Sequence, residues 1–276
     1  SLQGQVFFFF FVMRRVFDAA RAAKRRVVFA EGEDERVLRT AQAMREDIGV
    51  TPILIGRPEV VDNRIEREGL KLVRGRDFDL VNPENDPRYR DYWQSYHAVM
   101  RRRGVSPDLA KMVLRSNTTA IAAVMVHRGE ADSMICGTFG EYRWHLNYVS
   151  QVLADKDHHP VAALSLIILE SGPMFIGDTQ VHLEPTGQQL AETAIAAARH
   201  VRRFGIEPKA ALLSYSNFGS RDTDSARKMR RAAEIIRVLA PHLECDGEMH
   251  GDAALDPALR LRAFPHSRLK GPANLL

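Results

Sequence analysis

Short β-rich apolar runs alternate along this chain with segments of helical periodicity, and that alternation constrains the fold more than any other feature. Arg26–Ala30 reads as a strand, and Asp34–Arg45 as an amphipathic helix with Val37, Leu38, Ala41 and Met44 on one face. Thr51–Ile55 is the next strand, closed by a turn at Gly56-Arg57-Pro58. Tyr89–Arg103 reads as a helix ended by Gly104, and Pro107 opens another. Asn117–His127 is an Ala/Val/Met-rich, buried helix that leads into the strand Ser133–Cys136. A second series follows: a strand at Val161–Leu169, a break at Gly172-Pro173, then Met174–Ile176. Glu184–Phe204 holds a long helix capped by Gly205, Lys209–Tyr215 is a strand, and Asp222–Leu239 is a basic amphipathic helix. Strands joined in this way through helices predict an α/β fold with a largely parallel sheet covered by helices.

A length of 276 residues sits near the point where one core divides into two. The expected division is a connecting segment and helix over residues 1–24, a first α/β lobe over 25–150 and a second over 151–276. The polar run Asp155–His159 lies at the boundary, and His158 and His159 read as boundary residues. The net charge of +4 is spread along the chain, which suits anionic small molecules. No basic stretch interleaves with aromatics in a reader motif, so nucleic acid is not an expected partner. The two cysteines, Cys136 and Cys245, lie far apart and read as free thiols in a reducing cytoplasm. No apolar run reaches the ~20 residues needed to span a bilayer, so no membrane association is expected. The run Phe7–Phe11 is too short to span and lacks the flanks of a signal peptide. Exposed, it would be an aggregation hazard, so it is expected to pack against something.

Three loops could carry chemistry. Leu213–Arg221 follows a buried strand and precedes a helix, which places it at the carboxyl end of a sheet, where open α/β folds bind ligands. Its small hydroxyl residues and glycine would let backbone N–H groups approach an anion, with Arg221 adding a charged fork. A solvated turn with ordinary N-cap serines explains the same residues equally well. Gly137–Arg143 also follows a strand, and its two glycines suit a ligand-facing loop. Asp246–Asp252 reads as an acidic, glycine-rich loop after a third strand; its carboxylates and His250 could mimic a metal site, but the spacing matches no standard ligand set, and capping plus surface solvation is the favoured role. Glu31–Arg36 is either a carboxylate cluster for acid–base work or the acidic first turn of a helix. Neither GxGxxG, GxxxxGK[ST] nor GxSxG occurs. From spacing alone, the chain is an α/β anion-binding protein.

Several of these stretches together resemble one family. Ala30–Leu38 is similar to the opening motif of the phosphate acetyl/butyryltransferases, as are Ala211–Ser220 and Asp246–Leu255. Pro52–Pro58, Arg102–Pro107, Gly129–Thr138 and Val201–Pro208 resemble the branch found as the C-terminal module of bacterial NADP-dependent malic enzymes. The resemblance runs from about Lys24 to the C-terminus, with the motifs in order. It implies a two-lobed α/β/α phosphotransacetylase-like fold, an acyl-CoA cleft between the lobes, and dimerisation mainly through the second lobe. In the active transferases a CoA thiol attacks acetyl phosphate, which requires a base for the thiol proton and arginines for the phosphate.

The sequence departs from the family at those points. Met100 stands where the active enzymes carry a phosphate-binding arginine, and Asn147 where they carry a second, with Arg143 nearby. The family's late Ser-Arg pair and catalytic Asp would fall beyond Leu276, where a return to the first lobe is also expected. The resemblance therefore implies no catalytic residue here, but a module that binds acetyl-CoA as an effector. Thr138, Tyr142, Arg143, Ser214, Ser216, Asn217, Gly219, Ser220 and Arg221 are the candidate contacts. It further implies a homodimer or higher homo-oligomer, inhibited by acetyl-CoA, whose malate-decarboxylating domain in the same polypeptide binds NADP and Mg2+ or Mn2+. A working phosphate acetyltransferase and a purely structural dimerisation module are the alternatives.

Overall fold

The computed structural model describes residues 2–154 and 161–276, with side chains from Met13 onward. The Phe7–Phe11 side chains and the run Asp155–His159, with His158 and His159, lie outside the described residues. The chain forms two compact units, residues 17–155 and residues 156–276 together with 1–16.

After helix α1 (Leu2–Ala23), the unit of residues 17–155 runs β1 (Val27–Phe29), α2 (Glu35–Ala43), β2 (Ile53–Ile55), α3 (Pro58–Arg67), β3 (Asp79–Val81), α4 (Tyr89–Met100), α5 (Pro107–Ser116), α6 (Thr118–His127), β4 (Ser133–Ile135) and α7 (Tyr142–Leu153). The four strands form one all-parallel sheet in the order β3-β2-β1-β4. Side chains alternate across a strand, so each strand feeds both faces. Val28, Ile53 and Ile55 pack with Tyr92, Tyr96, Leu114 and the apolar residues of α6. Phe29 and Leu54 pack with Val37 and Leu38 of α2 and Val61 and Ile65 of α3. The result is an α/β/α sandwich. Helix α6 is buried from Thr119 to Met125, which is why its sequence shows no polar face.

Three local readings need adjustment here. Gly56-Arg57-Pro58 is more than a turn: Pro58 opens α3, with its fixed φ and missing N–H suited to the first helical position. The α2 pattern leaves α-helical geometry at Met44, where a π-helical turn carries it to Gly49. The loop expected through Arg143 ends at Glu141, so Tyr142 and Arg143 form the first turn of α7.

The other unit contains β5 (Leu164–Leu169), β6 (Gly172–Gly177), α8 (Gly187–Arg203), β7 (Lys209–Leu213), α9 (Asp224–Leu239), β8 (Glu244–Met249), α10 (Gly251–Leu255) and α11 (Pro257–Ala263). Strands β5 and β6 are an antiparallel hairpin, whereas β7 and β8 are parallel. Gly172 and Pro173 do not break the chain. They pair with Leu169 and Ile168, and the reversal falls at Glu170-Ser171. Residues 274–276 lie between the two strand pairs: Phe175 donates to Asn274 O, Leu276 to Phe175 O and Ala211 to Leu275 O. Pro173 precedes the first of these bonds, where a missing N–H costs no bond to that segment. Phe175, Ala198, Val201, Ala210, Leu212, Ile236 and Leu275 form the core of one face. Ala211, Met249, Ala254, Leu269 and Ala273 form that of the other.

Among the described residues, the largest fully buried side chain is Arg260 of α11. Its two terminal nitrogens donate to the carbonyls of Ala253, Ala254, Leu269 and Gly271, tying α10 to the loop that follows α11. A planar fork of donors can reach four carbonyls at once; an ammonium cannot. We predict that Arg260→Lys lowers stability by about 2 kcal/mol and Arg260→Ala by about 3 kcal/mol or more, because buried carbonyls lose their partners. Urea unfolding monitored by far-ultraviolet circular dichroism reads this, and a change under about 0.5 kcal/mol for both would contradict the role.

Candidate functional site

In the unit of residues 17–155, the chain builds β1, β2 and β3 outward in one direction and then returns to place β4 on the other side of β1. The strand order therefore reverses between β1 and β4, and the loops after these two strands are where an open parallel sheet forms a ligand crevice. Glu31, just after β1, is 5% exposed. Both its carboxylate oxygens accept the N–H of Gly137, at 3.1 Å, just after β4. Arg36 donates to Thr138 O at 2.7 Å and forks onto Asp34, whose carboxyl is held below its ordinary range by that hydrogen bond. Asp34 also caps α2, so this acidic segment serves as a helix start as well as a loop brace.

His145 of α7 closes the same loop from below. Its Nε2 lies 2.7 Å from Phe139 O and its Nδ1 2.8 Å from Thr119 Oγ1. A carbonyl oxygen only accepts, so Nε2–H donates to Phe139 O, and Nδ1 shares a hydrogen bond with the Thr119 hydroxyl. Burial raises the neighbouring Cys136 thiol to about 11, with the Glu31 charge adding to the shift and a Thr119 hydrogen bond opposing it. Such a thiol is protonated and unreactive at neutral pH. Thr138 is half-buried with an unpartnered Oγ1. Tyr142 and Arg143 are exposed, and the Arg143 guanidinium has no hydrogen-bond or ion-pair partner among the described residues. A cavity of about 400 Å³ opens over the carboxyl ends of β1 and β2, lined by both signs of charge, including Glu31, Glu33, Arg57, Arg64 and Arg115. Arg57 forks onto Glu33 and lowers its pKa. Met100 is 4% exposed inside the core, and Asn147 is exposed on α7, bonded to Gln151.

In the other unit, the turn after β7 lies at the carboxyl end of its strand as expected, but its amides are not available to a ligand. Asn217 N donates to Ser220 Oγ, Phe218 N to Glu248 O, Gly219 N to Glu248 Oε1, Ser220 N to Asn217 O and Arg221 N to Ser216 Oγ. Five consecutive N–H groups are thus used inside the protein, and an anion at this turn would meet side chains. Ser216 is fully buried, and its hydroxyl donates to Glu248 Oε1 at 2.8 Å. Ser214 is half-buried with an unpartnered Oγ. Gly219, Ser220 and Arg221 are exposed, Asn217 is partly so, and the Arg221 guanidinium has no partner among the described residues.

The stretch expected as an acidic loop is mostly strand, since Asp246–Met249 belongs to β8. Asp246 accepts from Ser267 Oγ and from the N–H groups of Arg268 and Gly247. His250 is the N-cap of α10 and donates its N–H to Asn217 Oδ1, and Asp252 stands in that helix's first turn. The residue the sequence reading passed over is Glu248, which spacing alone does not separate from its exposed-looking neighbours. The strand is irregular at this point, with a register shift between Leu212 and Leu213 that leaves Glu248 out of the pairing, so no alternation pattern marked the residue.

Two measurements check this geometry. Nitrogen-15 shifts should show neutral His145 as the Nε2–H tautomer; an Nδ1–H signal would contradict the Phe139 contact. Neither Cys136 nor Cys245, whose thiol burial pushes up to about 12, should react quickly with a thiol reagent at pH 8 in the folded protein. Both should react on unfolding, and rapid native-state labelling would refute the burial.

The phosphate acetyl/butaryl transferase family model matches residues 11–276. The NAD-dependent malic enzyme of Rhizobium meliloti (strain 1021) is 53% identical over 268 residues, which is 96% of this chain and 35% of that protein. The NADP-dependent malic enzyme of Escherichia coli (strain K12) is 51% identical over 265 residues, with the same two shares. The phosphate acetyltransferase of Corynebacterium glutamicum is 31% identical over 93% of this chain and 77% of that protein. A phosphotransacetylase structure from Staphylococcus aureus superimposes with a TM-score of 0.83 at 26% identity, covering 96% of this chain and 80% of that one. The chain spans about a third of the malic enzymes it matches. With a match over nearly its whole length and the architecture to go with it, the chain belongs to the phosphate acetyl/butaryl transferase family, in the form that malic enzymes carry within a longer polypeptide.

Proposed function

We propose that the chain is the acyl-CoA-sensing module of a cytoplasmic, homo-oligomeric malic enzyme, with acetyl-CoA as an inhibitory effector. Oxidative decarboxylation of malate to pyruvate and CO2, with NADP and Mg2+ or Mn2+, belongs to the larger part of such enzymes that this chain does not cover. The observation that carries the reading is a contrast between positions. Met100, at the place of a transferase arginine, is packed among Tyr96, Leu114 and the residues of α6, where a guanidinium would have no partner. Arg221 and Arg143, at the carboxyl ends of their sheets, are exposed with free guanidinium groups among the described residues. The framework for an anionic ligand is kept while a charge required for phosphoryl chemistry is absent. Arg221 is the proposed contact for a CoA phosphate in one unit and Arg143 in the other, with Thr138, Tyr142, Ser214, Asn217 and Ser220 beside them. Inhibition then requires only that acetyl-CoA bind two states of the enzyme with affinities differing by ~1–3 kcal/mol.

Calorimetric titration of acetyl-CoA, with acetyl-CoA formation from acetyl phosphate assayed on the same sample, tests the proposal. Binding without turnover is expected. Arg221→Ala and Arg143→Ala should each weaken binding about fivefold or more, and Arg221→Lys should not restore it, because a forked contact is lost. Turnover above background would favour a working transferase, and neither binding nor turnover would leave an oligomerisation module.

A further inference from the structure

Glu248 is 1% exposed, yet it is the hub of the turn that ends in Arg221. Its Oε1 accepts from Ser216 Oγ at 2.8 Å, Gly219 N at 2.8 Å and Arg230 Nη1 at 3.0 Å. Its main-chain oxygen accepts from Phe218 N at 2.9 Å. Arg230, one-third exposed on α9, carries the grip further, donating to Asp222 Oδ1 at 2.8 Å and approaching Arg221 O at 3.4 Å. The other carboxylate oxygen of Glu248 is buried with no partner in the described structure. A buried carboxylate with one overloaded oxygen and one bare oxygen is expensive to keep, and an apolar residue would fill the space at less cost.

We infer that Glu248 is a positioning residue for ligand recognition: with Arg230 it fixes the backbone of residues 216–222, so that Arg221 is presented in one orientation. The inference rests on the proposed acyl-CoA reading and deepens it. With all five amides from Asn217 to Arg221 satisfied internally, the turn offers an anion a single guanidinium. The value of that contact depends on how little conformational freedom remains to be lost on binding. Glu248 touches no ligand in this scheme. Its effect passes through the Gly219 N–H, the Ser216 hydroxyl and the Arg230 guanidinium.

The test uses the full chain, with acetyl-CoA titration and amide hydrogen exchange on wild type, Glu248→Gln, Arg221→Ala and the double variant. Glutamine keeps an acceptor for Gly219 and Ser216 but loses the charge facing Arg230, so the fold is expected to survive by circular dichroism. Glu248→Gln should weaken acetyl-CoA about tenfold and speed exchange at residues 217–221. Arg221→Ala should then cost much less in the Glu248→Gln background than alone, a coupling that a merely structural role would not produce. Restoration of affinity by Glu248→Asp would support the charge rather than the amide as the working feature. Unchanged affinity in Glu248→Gln, or full additivity with Arg221→Ala, overturns the inference. Absence of acetyl-CoA binding in the wild type overturns the functional reading instead. The positioning role is then decided by exchange alone: faster exchange at 217–221 supports it and unchanged exchange refutes it.

Discussion

A glycine N–H held by a buried glutamate recurs in a loop at the carboxyl end of a strand in both units, and the loops depend on it. Glu31 takes the Gly137 amide and Glu248 the Gly219 amide. In each case the acid lies on or just after a neighbouring strand, so the loop after one strand is fixed to the frame of another. A glycine at these points has a positive φ, 96° at Gly137 and 88° at Gly219, which lets the chain turn sharply while its N–H points inward. Burial strengthens the bond and makes its loss costly, since a carboxylate stripped of its donors in a low-dielectric interior has no solvent to replace them. Arg221 follows the second of these glycines by two residues, and Arg143 stands in the first turn of α7, just after the loop that begins at the first.

Most of the architecture was legible because its physical causes are local. The apolar triplets of β1 and β2 and the terminating glycines Gly104 and Gly205 follow from sequence spacing. What escaped was set by tertiary context. Strand β3 has only Asp79, Leu80 and Val81, and pairing with β2 rather than its own pattern makes it a strand. Gly172-Pro173 looked like a break by composition, yet cross-strand pairing made it the start of β6. The helix α10, with five residues, is too short to declare itself by periodicity.

The site was legible to a lesser degree, and for a definite reason. Sequence places Ser216 and Gly219 in a loop after a strand, and it cannot say whether their polar atoms face a ligand or the interior. Ser216 faces inward and Arg221 outward, although both belong to one short polar run. Similarly, Asp246 and Glu248 looked like solvated acids because the glycines around them suggested a loop. Burial is a property of the partners, and those partners, Arg230 and Ser267, come from elsewhere in the chain.

The placement of residues 274–276 has a consequence for biosynthesis. Phe175 and Ala210 both bridge to Leu275, so the sheet of this unit is sealed in its middle by a segment that leaves the ribosome roughly a hundred residues after β6. Until then, the apolar faces of β6 and β7 have no strand between them and offer open edges to other nascent chains. A long-range closure of this kind also carries a high contact order, which slows its formation. Truncation or stalling just before Leu275 should therefore leave a nascent chain dependent on chaperones, however sound its helices are.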